Sequence, residues 1–99
     1  MVTFLRSVQV LPGKTPEALA FAKEIASHIK TSTGQELTVG VPVGGDASRI
    51  GWYTRYENMG VMETQQAKMF ADARYWELVS RGANLFVPGS IRDDIWRTV

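Results

Sequence analysis

Six side chains in two strand-like stretches and a third near the C-terminus have the types that could hold a small molecule: Arg6, Trp52, Tyr53, Arg55, Tyr56 and Trp96. Arg6 is the sharpest of them. In an extended chain alternate residues share a face, which places it with Val2, Phe4, Val8 and Val10. A guanidinium cannot be stripped of water on such a face without an anionic partner. Two roles satisfy that demand. In one, Arg6 holds the carboxylate or enolate of a ligand, alone or with Arg55. In the other it forms an ion pair with Glu36, Glu57, Asp93 or Asp94, in the same chain or across an interface.

The aromatic residues allow the same two readings. Trp52, Tyr53, Tyr56 and Trp96 could line a pocket that stacks a flat ligand, with a phenol or indole N–H to orient it, or they could fill a core and an interface. The single histidine, His28, lacks a second ligand one helical turn away and falls near the edge of an apolar stripe, so it reads as a partly exposed helix residue. Asp93 and Asp94 are adjacent in a predicted strand and point to opposite faces, which argues against a shared acid–base role. Gly44-Gly45 has no lysine-serine after it and opens no helix, so it reads as a turn and not a phosphate loop. Met59, Met62 and Met69 read as packing.

Composition narrows the setting. Ninety-nine residues make one domain, able to fold alone with little to spare. Eleven basic and ten acidic residues leave a net charge of +1 and form no basic stripe, so no nucleic-acid partner is expected. The chain has no cysteine, which excludes disulfides and thiolate chemistry and fits a cytoplasmic location. Arg6 interrupts the N-terminal apolar run, which lacks a signal-peptide core of about 7–15 residues. No run approaches the roughly 18 apolar residues of a membrane span. No membrane partner, metal or cofactor is expected.

The elements that must position these residues follow from periodicity. Val2 to Leu11 is rich in β-branched residues and closes at Pro12-Gly13, a strand and a turn. Thr15-Pro16-Glu17 offers a cap, a first-turn proline and an acid at the positive helix end. The helix that begins there carries Leu19, Ala22, Ile25, Ala26 and Ile29 on one face and stops at Gly34. Leu37, Val39, Val41 and Val43 alternate as a second strand, and the turn residues Gly44-Gly45-Asp46 lead it as a hairpin into a third at Ser48 to Met59. There Ile50, Trp52, Thr54 and Tyr56 share one side, while Gly51, Tyr53 and Arg55 share the other. Bulky rings point both ways, so both faces are expected to be covered. Residues from about 61 to 82 read as helix in two pieces, with Asp72 capping the second. Its buried stripe is either Ala73, Trp76, Val79 and Ala83 or Tyr75, Leu78 and Val79. Ser90 to Val99 reads as a last strand, with Ile91 and Ile95 on one face and Trp96 on the other.

Strand, helix, strand, strand, helix, strand is the order of a ferredoxin-like α+β fold, βαββαβ, with a four-stranded antiparallel sheet and both helices on one face. The far face has no third layer, and its apolar content points to a second copy packed sheet to sheet. At this point the chain resembles the dimeric α/β-barrel superfamily, and most closely its NIPSNAP-like members. Arg6 stands six residues ahead of Pro12-Gly13-Lys14, the third strand ends Tyr56-Glu57-Asn58-Met59, and the segment Asp72 to Trp76 reopens the second helix. Asn58 replaces the family's usual serine and Ala73 its proline. The resemblance implies a homodimeric barrel around a small cavity. It implies no single reaction, because the superfamily includes cofactor-independent monooxygenases, haem-degrading enzymes and many members without an assigned activity. The haem-degrading members use a histidine on the second helix, which has none here. Three functions follow as expectations: a homodimer binding a small anionic or aromatic molecule in the barrel; a cofactor-independent monooxygenase- or isomerase-like enzyme in which Arg6 or Arg55 stabilises an enolate; and a structural or regulatory dimerisation module.

Overall fold

A computed structural model describes residues 1–99. Its elements are β1 (Val2–Gln9), α1 (Thr15–Thr33), β2 (Thr38–Gly40), β3 (Arg49–Tyr56), α2 (Met59–Phe70), α3 (Ala73–Gly82), a 3-10 turn (Ala83–Leu85) and β4 (Arg92–Arg97). The strands form one antiparallel sheet in the order β2-β3-β1-β4, the ferredoxin-like α+β arrangement. The central pair β1 and β3 runs in register from Val2 opposite Tyr56 to Gln9 opposite Arg49. Strand β4 covers the other edge of β1 and sets Asp93 directly opposite Arg6.

Local chemistry explains most element boundaries. Gly34 ends α1 in the left-handed region (φ 79°) and donates its N–H to the Lys30 carbonyl. Asn58 opens α2 by accepting from the Val61 N–H at 2.9 Å. Asp72, in extended conformation, opens α3 by accepting from the Arg74 N–H at 3.0 Å. This junction breaks the second helical region into two pieces, as its sequence indicates. The start of α1 differs from expectation. Lys14 occupies the cap position without a side-chain bond and Thr15 is already helical, which puts Pro16 in the first turn, where its missing N–H leaves no intrahelical bond unmade.

The second strand is shorter than expected, and α3 takes one of its two possible stripes. The second strand is only Thr38–Gly40 and not Leu37 to Val43: Pro42 has no N–H to give a ladder, and Val41 and Val43 are exposed. β2 and β3 still pair antiparallel as the expected hairpin, but its connection is long, residues 41–48. Asp46 organises it by accepting from the Ser48 N–H at 2.9 Å. On α3 the buried side is Tyr75, Leu78 and Gly82, while Trp76 is 47% exposed. The Trp76 indole donates to the Phe70 carbonyl at 2.8 Å, which holds the ring outside the junction of α2 and α3.

The two sheet faces differ in character. Val2, Val8, Val10, Ile50 and Tyr56 are all buried on the helix side, against Ala18 and Ala22 of α1 and Met62 of α2. Trp52 also turns that way, and its indole donates to the Ala22 carbonyl at 3.0 Å. The far face keeps only Tyr53, Trp96 and Leu5 as large apolar groups, beside Arg55, Arg92 and Asp94. It is mixed in character, and less apolar than a face with rings on both sides of β3 would suggest. The second main core cluster joins Ile25 and Ile29 of α1 to Tyr75 and Leu78 of α3.

Candidate functional site

The helices do not close completely over the sheet. Between the helix side of β1 and β3 and the inner faces of α1, α2 and α3 lies a cavity of about 310 Å³. Its walls are mostly apolar: Phe4 and Val8 from β1, Trp52 from β3, Ile25 and Ile29 from α1, Met69 from α2 and Val79 from α3. Phe21 and Phe86, with ring centres 5.6 Å apart, form one end. This volume lies at the lower end of typical small-molecule sites.

Arg6 is the only charged side chain on the lining. Its Nε and Nη2 donate to the two carboxylate oxygens of Asp93 at 2.7 and 2.8 Å, a bidentate pair across neighbouring strands. The hydrogen bond to Asp93 raises the guanidinium pKa above its ordinary value, against burial, which lowers it. Of the four carboxylates weighed from sequence, Asp93 is therefore the partner, and the pairing leaves Arg6 Nη1 uncommitted to it. The guanidinium also sits over the Phe4 ring, 5.7 Å from its centre.

Two phenols stand in reach of this charge. Burial pushes the pKa of both Tyr56 and Tyr75 up, and the nearby Arg6 pulls each down by less. Both remain protonated at neutral pH and can donate. Gln65 and Gln66 of α2 complete the polar lining, and the buried Gln65 Oε1 accepts no hydrogen bond. Gln35, by contrast, is engaged: its amide donates to Thr54 Oγ1 at 2.6 Å.

The six residues singled out from sequence divide by strand face. Arg6, Trp52 and Tyr56 line the cavity; Tyr53, Arg55 and Trp96 stand on the opposite face of the sheet. The cavity that the chain itself builds is thus on the helix side, not on the side where a second sheet would pack. His28 is outside it. Its Nε2 lies 2.5 Å from Asp72 Oδ2, and this hydrogen bond holds the Asp72 carboxyl below its ordinary range. Among groups of His, Cys, Asp and Glu, none could hold a metal ion. Tyr75 and Gln65 were not picked out by sequence reasoning. A signal for Gln65 existed: Met62, Gln65, Gln66 and Met69 share a helical face, so glutamines interrupt an otherwise apolar stripe.

No family model matches the chain, and no curated protein matches it closely enough to count as a relative. Solved structures do match in fold. An uncharacterized NIPSNAP domain protein from Burkholderia xenovorans superimposes with a TM-score of 0.84 at 16% identity, over 100% of this chain and 95% of its own. A NIPSNAP family protein from Agrobacterium tumefaciens gives 0.80 at 20% identity, over 99% and 85%. A Nitrosomonas europaea protein provisionally described as an antibiotic biosynthesis monooxygenase gives 0.72 at 13% identity, over 100% and 99%. The resemblance seen in sequence to NIPSNAP-like chains therefore holds at the level of fold. No helix is long and apolar enough to cross a membrane.

Proposed function

We propose that this chain binds a small, largely apolar organic molecule in the cavity between its sheet and its helices, as a cytoplasmic homodimer without a cofactor. The cavity carries the proposal: about 310 Å³ with apolar walls and a short set of polar groups around Arg6 is the form of a small-molecule site. The homodimer rests on the far face of the sheet, where Tyr53, Trp96 and Leu5 lie beside Arg55, Arg92 and Asp94. Apolar groups ringed by charges of both signs are self-complementary under a two-fold axis, so a second copy is the occupant proposed. Balanced charge gives nucleic acid and membrane no part in this reading.

The test is to fill the cavity. Small aromatic fragments should quench the fluorescence of Trp52, which forms part of the wall, and Val79→Phe should abolish that response while circular dichroism stays unchanged. Binding that survives the filled cavity would place the ligand elsewhere and end the proposal.

A second reading, a cofactor-independent enzyme, is favoured by the likeness in fold to the Nitrosomonas europaea protein. In it Arg6 Nη1 holds the oxygen of an enolate while the apolar walls exclude water. Arg55 has no part, since it stands on the other face of β3. Turnover of any enolisable substrate that persists in Arg6→Gln would remove this mechanism.

A further inference from the structure

Three hydrogen-bond donors on the cavity wall have no partner within the chain, and they narrow the class of ligand, given that the cavity is a ligand site as proposed. Tyr56 of β3 and Tyr75 of α3 are only 6% and 8% exposed, and both line the cavity. Neither hydroxyl bonds to another residue, yet neither is sealed in the core, since Gln65 Oε1 is the one inaccessible side-chain polar atom left unpaired. In residues so deeply buried, the opening these hydroxyls have is the cavity that their rings line. Arg6 supplies the third donor: Asp93 takes Nε and Nη2 at 2.7 and 2.8 Å, and Nη1 is left over. Along β1, Phe4 stands between Arg6 and Val2, and Val2 faces Tyr56 across the ladder. The guanidinium lies over the Phe4 ring, so it leans toward the Tyr56 end of the cavity. Its charge is felt by both phenols.

This set donates, and it carries no net charge. Arg6 is the single charged group on the lining, and the strand register fixes the Asp93 carboxylate opposite it. An anionic ligand would therefore meet no free cation in an apolar cavity, and Asp93 would stand close by as a second negative charge. A pure hydrocarbon would strip water from three donors and return nothing to them. A carbonyl oxygen avoids both penalties. It is neutral, its lone pairs accept from more than one donor, and it brings no hydrogen that needs an acceptor of its own.

We infer that the cavity takes an uncharged, largely apolar molecule bearing a ketone or ester carbonyl, whose oxygen accepts hydrogen bonds from Tyr56, Tyr75 and Arg6 Nη1. The specificity follows from buried donors that are stranded whenever the ligand that displaces their water lacks an acceptor.

The experiment compares three probes of one size: acetophenone; α-methylstyrene, in which a CH2 group replaces the carbonyl oxygen; and benzoate. Each is titrated into the wild type, Tyr56→Phe, Tyr75→Phe and the double variant, with binding followed by amide chemical shifts and stability by thermal melts. In the wild type acetophenone should bind about 10-fold more tightly than α-methylstyrene, as hydrogen bonds from buried donors provide, and benzoate should bind more weakly than acetophenone. The advantage of the ketone should shrink in each single variant and fall below about 3-fold in the double variant. All variants should melt as the wild type does, because a hydroxyl without a partner in the chain holds no other residue in place. Equal binding of ketone and hydrocarbon to the wild type, preference for benzoate, or a ketone advantage undiminished in the variants would overturn the inference while leaving the cavity a ligand site. A lower melting temperature in both single variants would also overturn it, by showing that the hydroxyls serve the structure. If none of the three probes binds, the ligand-site reading falls and this inference falls with it.

Discussion

Gly82 has the least room for a Cβ of any glycine in the chain, and Gly82→Ala is a sharp test of the geometry around the cavity. A Cβ built on Gly82 would lie 2.3, 2.5 and 2.6 Å from three ring atoms of Phe21, distances no real contact sustains. The backbone itself poses no obstacle, since φ is −93° and ψ −2°, a conformation alanine adopts freely. Removing glycine from a helix favours the variant by about 0.5–1 kcal/mol. Forcing the ring aside costs about 1–3 kcal/mol, the range for overpacked cores. The difference is a loss of at most about 2.5 kcal/mol and about 1 kcal/mol at its midpoint, which for a domain of this size lowers the melting temperature by roughly 4–8 °C. Phe21 meets Phe86 at a tilt of 58° and borders the cavity, so the ring should retreat into the cavity and shrink it. Thermal melts of wild type, Gly82→Ala, Phe21→Ala and the double variant form a cycle that isolates the clash. With the ring removed, Gly82→Ala should be neutral or stabilising. A Gly82→Ala protein that melts at or above the wild type, or a penalty that is the same in the Phe21→Ala background, would refute the packing described here.

Thr54 is 7% exposed, donates to the Glu36 carbonyl at 2.6 Å and accepts from Gln35, so Thr54→Val should lower stability by about 1–3 kcal/mol in urea melts with an unchanged slope. A loss below about 0.5 kcal/mol would mean that water replaces the hydroxyl. The Asp72 carboxyl is held below its ordinary value of 3.8, chiefly by the hydrogen bond to His28; its contribution is therefore complete above that value and disappears as pH falls through the depressed one. Asp72→Asn keeps an acceptor for the helix cap, so its stability in acid titrations followed by circular dichroism should fall less steeply below about pH 4 than that of the wild type. Parallel curves would exclude the pair as an acid-sensitive link. Trp96, 73% exposed on the far face of the sheet, should be central to the dimer: light scattering should give a dimer for the wild type at micromolar concentration and a folded monomer for Trp96→Glu. A monomeric wild type would remove the dimer.

Local chemistry was legible in the sequence, and choices made across the fold were not. Gly34, Asn58 and Asp72 act within a turn of their own positions, so their cap roles can be read from neighbouring residues. Alternation along β3 correctly put Trp52 and Tyr56 on one side and Tyr53 and Arg55 on the other. Which side the helices would cover was not readable, because Ile50 and Tyr53 are equally plausible inward residues until α1 is docked. The same limit explains Trp76. Periodicity offered two stripes on α3, and the choice of Tyr75 and Leu78 is made by Ile25 and Ile29 of α1, nearly fifty residues away in sequence. Arg6 with Asp93 required the pairing of the first strand with the last, a contact that composition narrows to four carboxylates and only the register decides.

The cavity sits where the fold is least committed to closing. Helix α2 buries one residue, Met62, and presents Gln65 and Gln66 where apolar side chains would have sealed it against β1 and β3. The cavity is partly open to solvent, so the empty state is hydrated, and the polar groups on its wall supply what water needs: Arg6 Nη1, two protonated phenols and the carboxamides of α2. The same groups that make the empty state tolerable are the ones a ligand must satisfy when it displaces that water, so the stability of the free chain and the selectivity of the site are set by one short list of residues.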